Sequence, residues 1–116
     1  MKKDNLKKGN FGEDLAAEYL AKKGYKIIKR NYKTKYAETD IIALKKTTLT
    51  FVEVKSRSNK DFGRGYEAVD ARKIHKIRTN ATIFTSSCSI DYEAISFDII
   101  EVYLNTGEIN HIMSAF

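Results

Sequence analysis

Two apolar runs with a short polar break constrain this chain most. Glu38-Thr39-Asp40-Ile41-Ile42-Ala43-Leu44 and Leu49-Thr50-Phe51-Val52-Glu53-Val54-Lys55 carry the β-branched and aromatic residues of strands, and Lys45-Lys46-Thr47-Thr48 between them reads as a turn. A hairpin with either a two-residue or a four-residue loop sets Leu44 opposite Leu49, Ile42 opposite Phe51 and Asp40 opposite Glu53. Side chains alternate faces with period two, so Asp40, Glu53 and Lys55 emerge on one side of the sheet. The other side carries Ile41 and Ala43 against Thr50, Val52 and Val54. Strands that are apolar on both faces belong in a central sheet covered by helices.

The opposed acids bear on function. Directly paired positions bring Cβ atoms to about 4.5–5.5 Å, where like charges repel. Two carboxylates held together at the ends of apolar strands call for a cation, and oxygen donors favour a hard divalent one. Lys55, two residues beyond Glu53 on the same face, is placed to hold or activate a water beside that ion. Glu-x-Lys alone equally fits a solvated strand end. The pairing with Asp40 in the register that the apolar residues impose distinguishes a candidate phosphodiesterase centre.

Charge is distributed unevenly. All 21 Lys and Arg lie in the first 78 residues against ten acids, a net of +11, while the last 38 residues carry five acids and no Lys or Arg, a net of −5. A basic surface suits a polyanionic partner, and it equally suits solubility. The 116 residues fit a single domain over 1–116. No apolar run approaches the ~18 residues of a membrane span, so no membrane association is expected. The start lacks the apolar segment of a signal peptide, and the single Cys88 excludes an internal disulfide, so a cytoplasmic setting is expected.

A helix is predicted from about Leu6 to Lys23, with Asn5 as N-cap and Gly24 as the glycine past its end. Phe11, Leu15 and Tyr19 form its apolar row, widened by Ala16, Ala17 and Leu20, and Glu13 points toward the buried side. Gly9 and Gly12 are unfavourable inside a helix unless they permit close approach of a neighbour. A short strand centres on Ile27-Ile28. A second helix is expected from Tyr66 to about Phe84, with Ile74, Ile77, Ala81 and Phe84 inward and Arg72, Lys73, Lys76 and Arg78 mostly outward. Strands over Ile95–Leu104 and Ile109–Met113 complete an α-β-β-β-α-β-β order, an α/β fold with a mixed five-stranded sheet flanked by helices. Isolated His75 and His111 suggest no histidine metal centre. Tyr32, Tyr36 and Tyr66, near basic residues, are candidates for stacking on bases, although tyrosines commonly just pack.

Asp40 with Glu53-Val54-Lys55 resembles the nuclease motif PD-(D/E)-x-K. Nearly the whole chain resembles the YraN family of small bacterial proteins, UPF0102. The resemblance rests on Gly9-Asn10-Phe11-Gly12-Glu13-Asp14-Leu15-Ala16-Ala17, Ala37-Glu38-Thr39-Asp40-Ile41-Ile42-Ala43, Phe51-Val52-Glu53-Val54-Lys55-Ser56-Arg57, Phe97-Asp98 and Ala115-Phe116. It implies a restriction-endonuclease-like fold similar to Holliday junction resolvases and metal-dependent hydrolysis of DNA, including branched, flapped or single-stranded forms. Asp40, Glu53 and the Val54 carbonyl would hold Mg²⁺ or Mn²⁺, Lys55 would act on the attacking water, and Glu13 would complete the site. Arg57, Arg64, Arg72, Lys73 and Lys76 would face the nucleic acid. The resemblance also implies a homodimer for symmetric cutting, and repair or recombination proteins as partners. The alternative is the same fold acting as a docking module for nucleic acid or protein. Two departures stand out. Ala37 replaces a usual glycine where positive φ would be costly, and Ser96 replaces a usual arginine.

Overall fold

The computed structural model describes residues 2–58 and 70–116, with side chains described from Phe11 onward in the first helix. The order is α1 (Lys2–Lys22), β1 (Lys26–Lys33), β2 (Glu38–Lys45), β3 (Thr48–Arg57), α2 (Ala71–Ser87), β4 (Ala94–Tyr103) and β5 (Glu108–Ile112). The five strands form one sheet in the order β1-β2-β3-β4-β5. Only β3 and β4 run parallel, across the connection that holds α2; the other neighbours are antiparallel. This is the expected α/β arrangement, a mixed five-stranded sheet flanked by helices in the order α-β-β-β-α-β-β.

The β2–β3 hairpin turns on two residues, Lys46 and Thr47, with Lys46 in the left-handed region at φ 54°. The ladder pairs Leu44 with Leu49 and Ile42 with Phe51, and its last pair is Ile41–Val52. Adjacent residues of these strands enter different cores, as alternation requires. Ile41, Ala43 and Val52, with Ile100 and Val102 of β4, pack on Ala16 and Leu20 of α1. Ile42, Leu49 and Phe51 pack on Ala81 and Phe84 of α2. Each helix thus seals one face, and burying a side chain such as Phe51 contributes roughly 3 kcal/mol.

The first helix ends as its sequence demands. Gly24 adopts φ 95°, Tyr25 N–H donates to Leu20 O at 3.0 Å and Gly24 N–H donates to Ala21 O at 3.1 Å. This pair of bonds satisfies orphan carbonyls, and Tyr25 joins Leu20 in the core. At Gly12 a Cβ would collide with Ser56 Oγ, so glycine there permits close approach of α1 to β3.

Several boundaries differ from expectation. The first helix begins at Lys2, leaving Asn5 within it rather than capping it. Phe11, predicted inward, is 50% exposed, because Ala16 and Leu20 define the buried stripe. The second helix is capped by Asp70, whose Oδ1 accepts from Lys73 N–H at 2.9 Å, so its described start is Ala71. Tyr66, the predicted start, lies outside the described residues. Ala37 is not among the positive-φ residues, so its expected cost does not arise. Ser96 Oγ donates to Asp98 Oδ1 at 2.5 Å, making a structural contact of its own.

Candidate active site

At the open end of the β2–β3 hairpin, the ladder stops after Ile41–Val52, and the next residues are Asp40 and Glu53. Asp40 Oδ2 accepts the Val54 N–H at 2.8 Å where that ladder has ended. One carboxylate oxygen is thereby fixed by the main chain of the neighbouring strand. Both acids line an open pocket of about 530 Å³, together with Tyr36, Ala37, Glu38, Asp70, Arg72, Lys73, Lys76 and Ile77. The floor comes from the sheet and the basic wall from α2.

Two lysines converge on Glu53. Lys73 Nζ lies 2.8 Å from Glu53 Oε2, and Lys55 Nζ lies 3.7 Å from the same oxygen. Lys73 comes from the first turn of α2, so its arrival depends on the Asp70 cap that starts the helix there. The electrostatics are strained. Burial, then repulsion from Glu53, pushes the Asp40 carboxyl up to about 7, overriding the Val54 hydrogen bond. Burial also lowers the pKa of Lys55, and the neighbouring Lys73 lowers it further. For Lys73, burial opposes the charged form, but the hydrogen bond to Glu53 helps turn the balance, and its pKa is raised.

Glu13 stands behind this pocket rather than lining it. Its Oε1 accepts from Arg30 Nε at 3.0 Å and from Asn31 Nδ2 at 3.0 Å, and its charge adds to the upward shift at Asp40. Arg30 also reaches Asp14 Oδ1 at 2.6 Å. Asn31 sits at φ 55°, a conformation that asparagine tolerates better than most residues.

Arg72 and Lys76 flank the pocket as expected from their outward helix positions. Arg57 is not among the residues lining the pocket. Its guanidinium is largely buried, with Nε 3.8 Å from the buried Glu101 carboxylate, so it faces an internal charge rather than the pocket. Arg64 lies outside the described residues.

Asn80 was not singled out from sequence. Fully buried, it donates to Tyr32 O and Thr39 Oγ1, and its Oδ1 accepts from Thr34 Oγ1 at 2.5 Å. It ties α2 to the strands bordering the pocket. A polar residue on the inward stripe with Ile77, Ala81 and Phe84 was the available signal.

Among the described residues, no group of three or more His, Cys, Asp or Glu is placed to hold a metal. A cation here would have Asp40, Glu53 and the Val54 carbonyl. This oxygen-only set fits Mg²⁺ or Mn²⁺, since Mg²⁺ is commonly held by one or two carboxylates with water and phosphate completing the shell.

The model of the uncharacterised protein family UPF0102 matches residues 12–102. The chain belongs to that family. A UPF0102 protein of Caldanaerobacter subterraneus subsp. tengcongensis is 48% identical, with 100% of both chains covered. One from Clostridioides difficile is 47% identical over 97% of this chain and 99% of its own. The UPF0102 match thus spans both acids, Lys55 and Lys73. Among solved structures, Pyrococcus furiosus SfsA in complex with Ca²⁺ is similar at 17% identity and a TM-score of 0.33, covering 95% of this chain and 63% of that one. A likeness that slight carries no functional argument. No helix among the described residues is long and apolar enough to cross a membrane.

Proposed function

We propose that this UPF0102 protein is a metal-dependent endonuclease that hydrolyses phosphodiester bonds in DNA, branched or flapped forms among them. The observation that carries the reading is the juxtaposition of Asp40 and Glu53 in a pocket walled by Lys73, Arg72 and Lys76. Acids fixed on rigid strands inside a basic wall combine affinity for phosphate with a place for a divalent cation.

Mg²⁺ or Mn²⁺ held by Asp40, Glu53 and the Val54 carbonyl would supply Lewis-acid polarisation of the scissile phosphate. The chain's own residues do the rest. The Val54 N–H holds the Asp40 carboxylate in one orientation. Lys55, its pKa lowered by burial and Lys73, takes the proton from the attacking water. The water oxygen bonds to phosphorus as the bond to the leaving sugar oxygen breaks, and solvent returns a proton to that oxygen. Arg72, Lys73 and Lys76 neutralise flanking phosphates. Glu13 orients Arg30 and Asn31 behind the site.

Such an enzyme would work in the cytoplasm in DNA repair or recombination. Symmetric cutting of a four-way junction would require a homodimer. A second reading, a docking module without catalysis, is favoured by one observation: Glu53 is already neutralised by Lys73.

The test is cleavage of end-labelled single-stranded, duplex, flap and four-way-junction DNA with Mn²⁺, Mg²⁺ or EDTA. Wild type and the double variant Glu53→Ala/Lys55→Ala are compared. Metal-dependent cutting by wild type alone is expected, with a loss of at least about 10²-fold in the variant. Binding without cutting under every condition would select the docking module.

A further inference from the structure

Of the aromatic side chains among the described residues, Tyr36 alone lines the pocket that holds Asp40 and Glu53. Its ring is 49% exposed, whereas the other described tyrosine considered as a stacking partner, Tyr32, is packed edge-on against Phe84 with centroids 5.2 Å apart. Tyr36 lies between β1 and β2, in a connection that is firmly held. Thr34 N–H donates to Ala37 O at 2.9 Å, and Tyr36 N–H donates to Thr34 Oγ1 at 3.1 Å. Thr34 is in turn bonded to the buried Asn80 of α2. The ring is therefore presented from an anchored loop, and little ordering would accompany binding. Lys35 Nζ lies over one face of the ring, 5.3 Å from its centroid, so a base would stack on the other face or take the place of this mobile ammonium. Arg72 and Lys76 border the same opening.

We infer that Tyr36 is a stacking platform for an unpaired nucleotide, so that this pocket selects single-stranded or flapped polynucleotide over continuous duplex. The inference rests on the nuclease reading for its setting and adds the substrate class. A base can meet the face of the ring only when it has left the stack of a duplex, while Arg72 and Lys76 at the same opening meet the backbone. Every base has a π-face, so the preference is for unpaired structure rather than sequence.

The protein contains no tryptophan, so Tyr36→Trp introduces a single indole reporter at the platform. In EDTA, short oligo-dT or oligo-U is expected to quench its fluorescence, and the tighter of the two identifies the preferred sugar. A fully paired duplex of the same length should leave it unquenched. In parallel, Tyr36→Ala should weaken binding to the preferred single strand about tenfold with duplex binding unchanged, while Tyr36→Phe retains wild-type affinity. Equal single-strand affinity of wild type and Tyr36→Ala would overturn the inference, as would equal quenching by duplex. Because these measurements need no metal, quenching without cleavage in the endonuclease assay would sink only the enzyme reading. Metal-dependent cleavage indifferent to Tyr36→Ala would sink only this one.

Discussion

Asp98 and Asp40 occupy opposite faces of one sheet, and their surroundings treat their charges in opposite ways. Asp98, on the face covered by α1, accepts from Ser96 Oγ and from Ser114 N–H, and lies 2.7 Å from His111 Nε2. His111 is hydrogen-bonded in turn to Tyr19 of α1 at 3.0 Å. Burial alone would raise the pKa of Asp98, but these partners lower it overall. Asp40, on the face covered by α2, has the Val54 N–H for support and is pushed up by burial and Glu53. A carboxylate furnished with donors stabilises a fold. One buried beside another acid is costly to ionise.

The comparison breaks most visibly at Asp98. Asp98→Ala strands several donors in a closed network and is expected to cost about 3 kcal/mol in urea unfolding. Wild-type stability from this group should be fully present above its ordinary pKa of 3.8 and be lost as pH falls through its lower folded value. A flat acid limb, unchanged by Asp98→Asn, would remove it from that role.

Asp40 should show the opposite sign. Its folded pKa of about 7 exceeds its ordinary 3.8, so the metal-free folded chain binds a proton that the unfolded chain releases across that window. Stability from this site therefore rises as pH falls from about 7 toward 4. Asp40→Asn, which can still accept from Val54, should raise the melting temperature of the metal-free protein at pH 8 by about 5 °C. Saturating Mn²⁺ should raise that of wild type and leave the variant unmoved. A destabilised Asp40→Asn would place Asp40 with Asp98 as a structural acid.

The smallest effect is at Lys73, which is partly exposed beside Glu53. Lys73→Met should change stability by less than about 1 kcal/mol. With one competing cation removed, Mn²⁺ titration should give a few-fold tighter binding. Weaker Mn²⁺ binding would instead mean that Lys73 holds Glu53 in the geometry the cation needs.

The sequence was most legible where the physics is local. Alternation in β2 and β3 specified the pairing of Leu44 with Leu49 and the common face of Asp40 and Glu53, because a slip of one residue would exchange the side chains meant for the α1 core with those meant for the α2 core. The glycine at the end of α1 was equally readable, since its conformation depends on only a few neighbours. The approach of Arg57 to Glu101 was not legible, because strand alternation gives the face of a residue but not how deeply that face is buried. Asn80 went unnoticed because its partners, Thr34 and Thr39, are more than 40 residues away.

By itself, then, the sequence determined the element order, the two-sided burial of the central strands and the meeting of Asp40 and Glu53. All of these follow from periodicity within short segments. Only the tertiary structure decided that Lys73 reaches Glu53, that Glu13 is held by Arg30 and Asn31, and that Asp98 is satisfied by His111. Those contacts depend on where two helices cross the sheet and on which strand ends they cover. Packing of the whole chain fixes that position, and no local pattern encodes it.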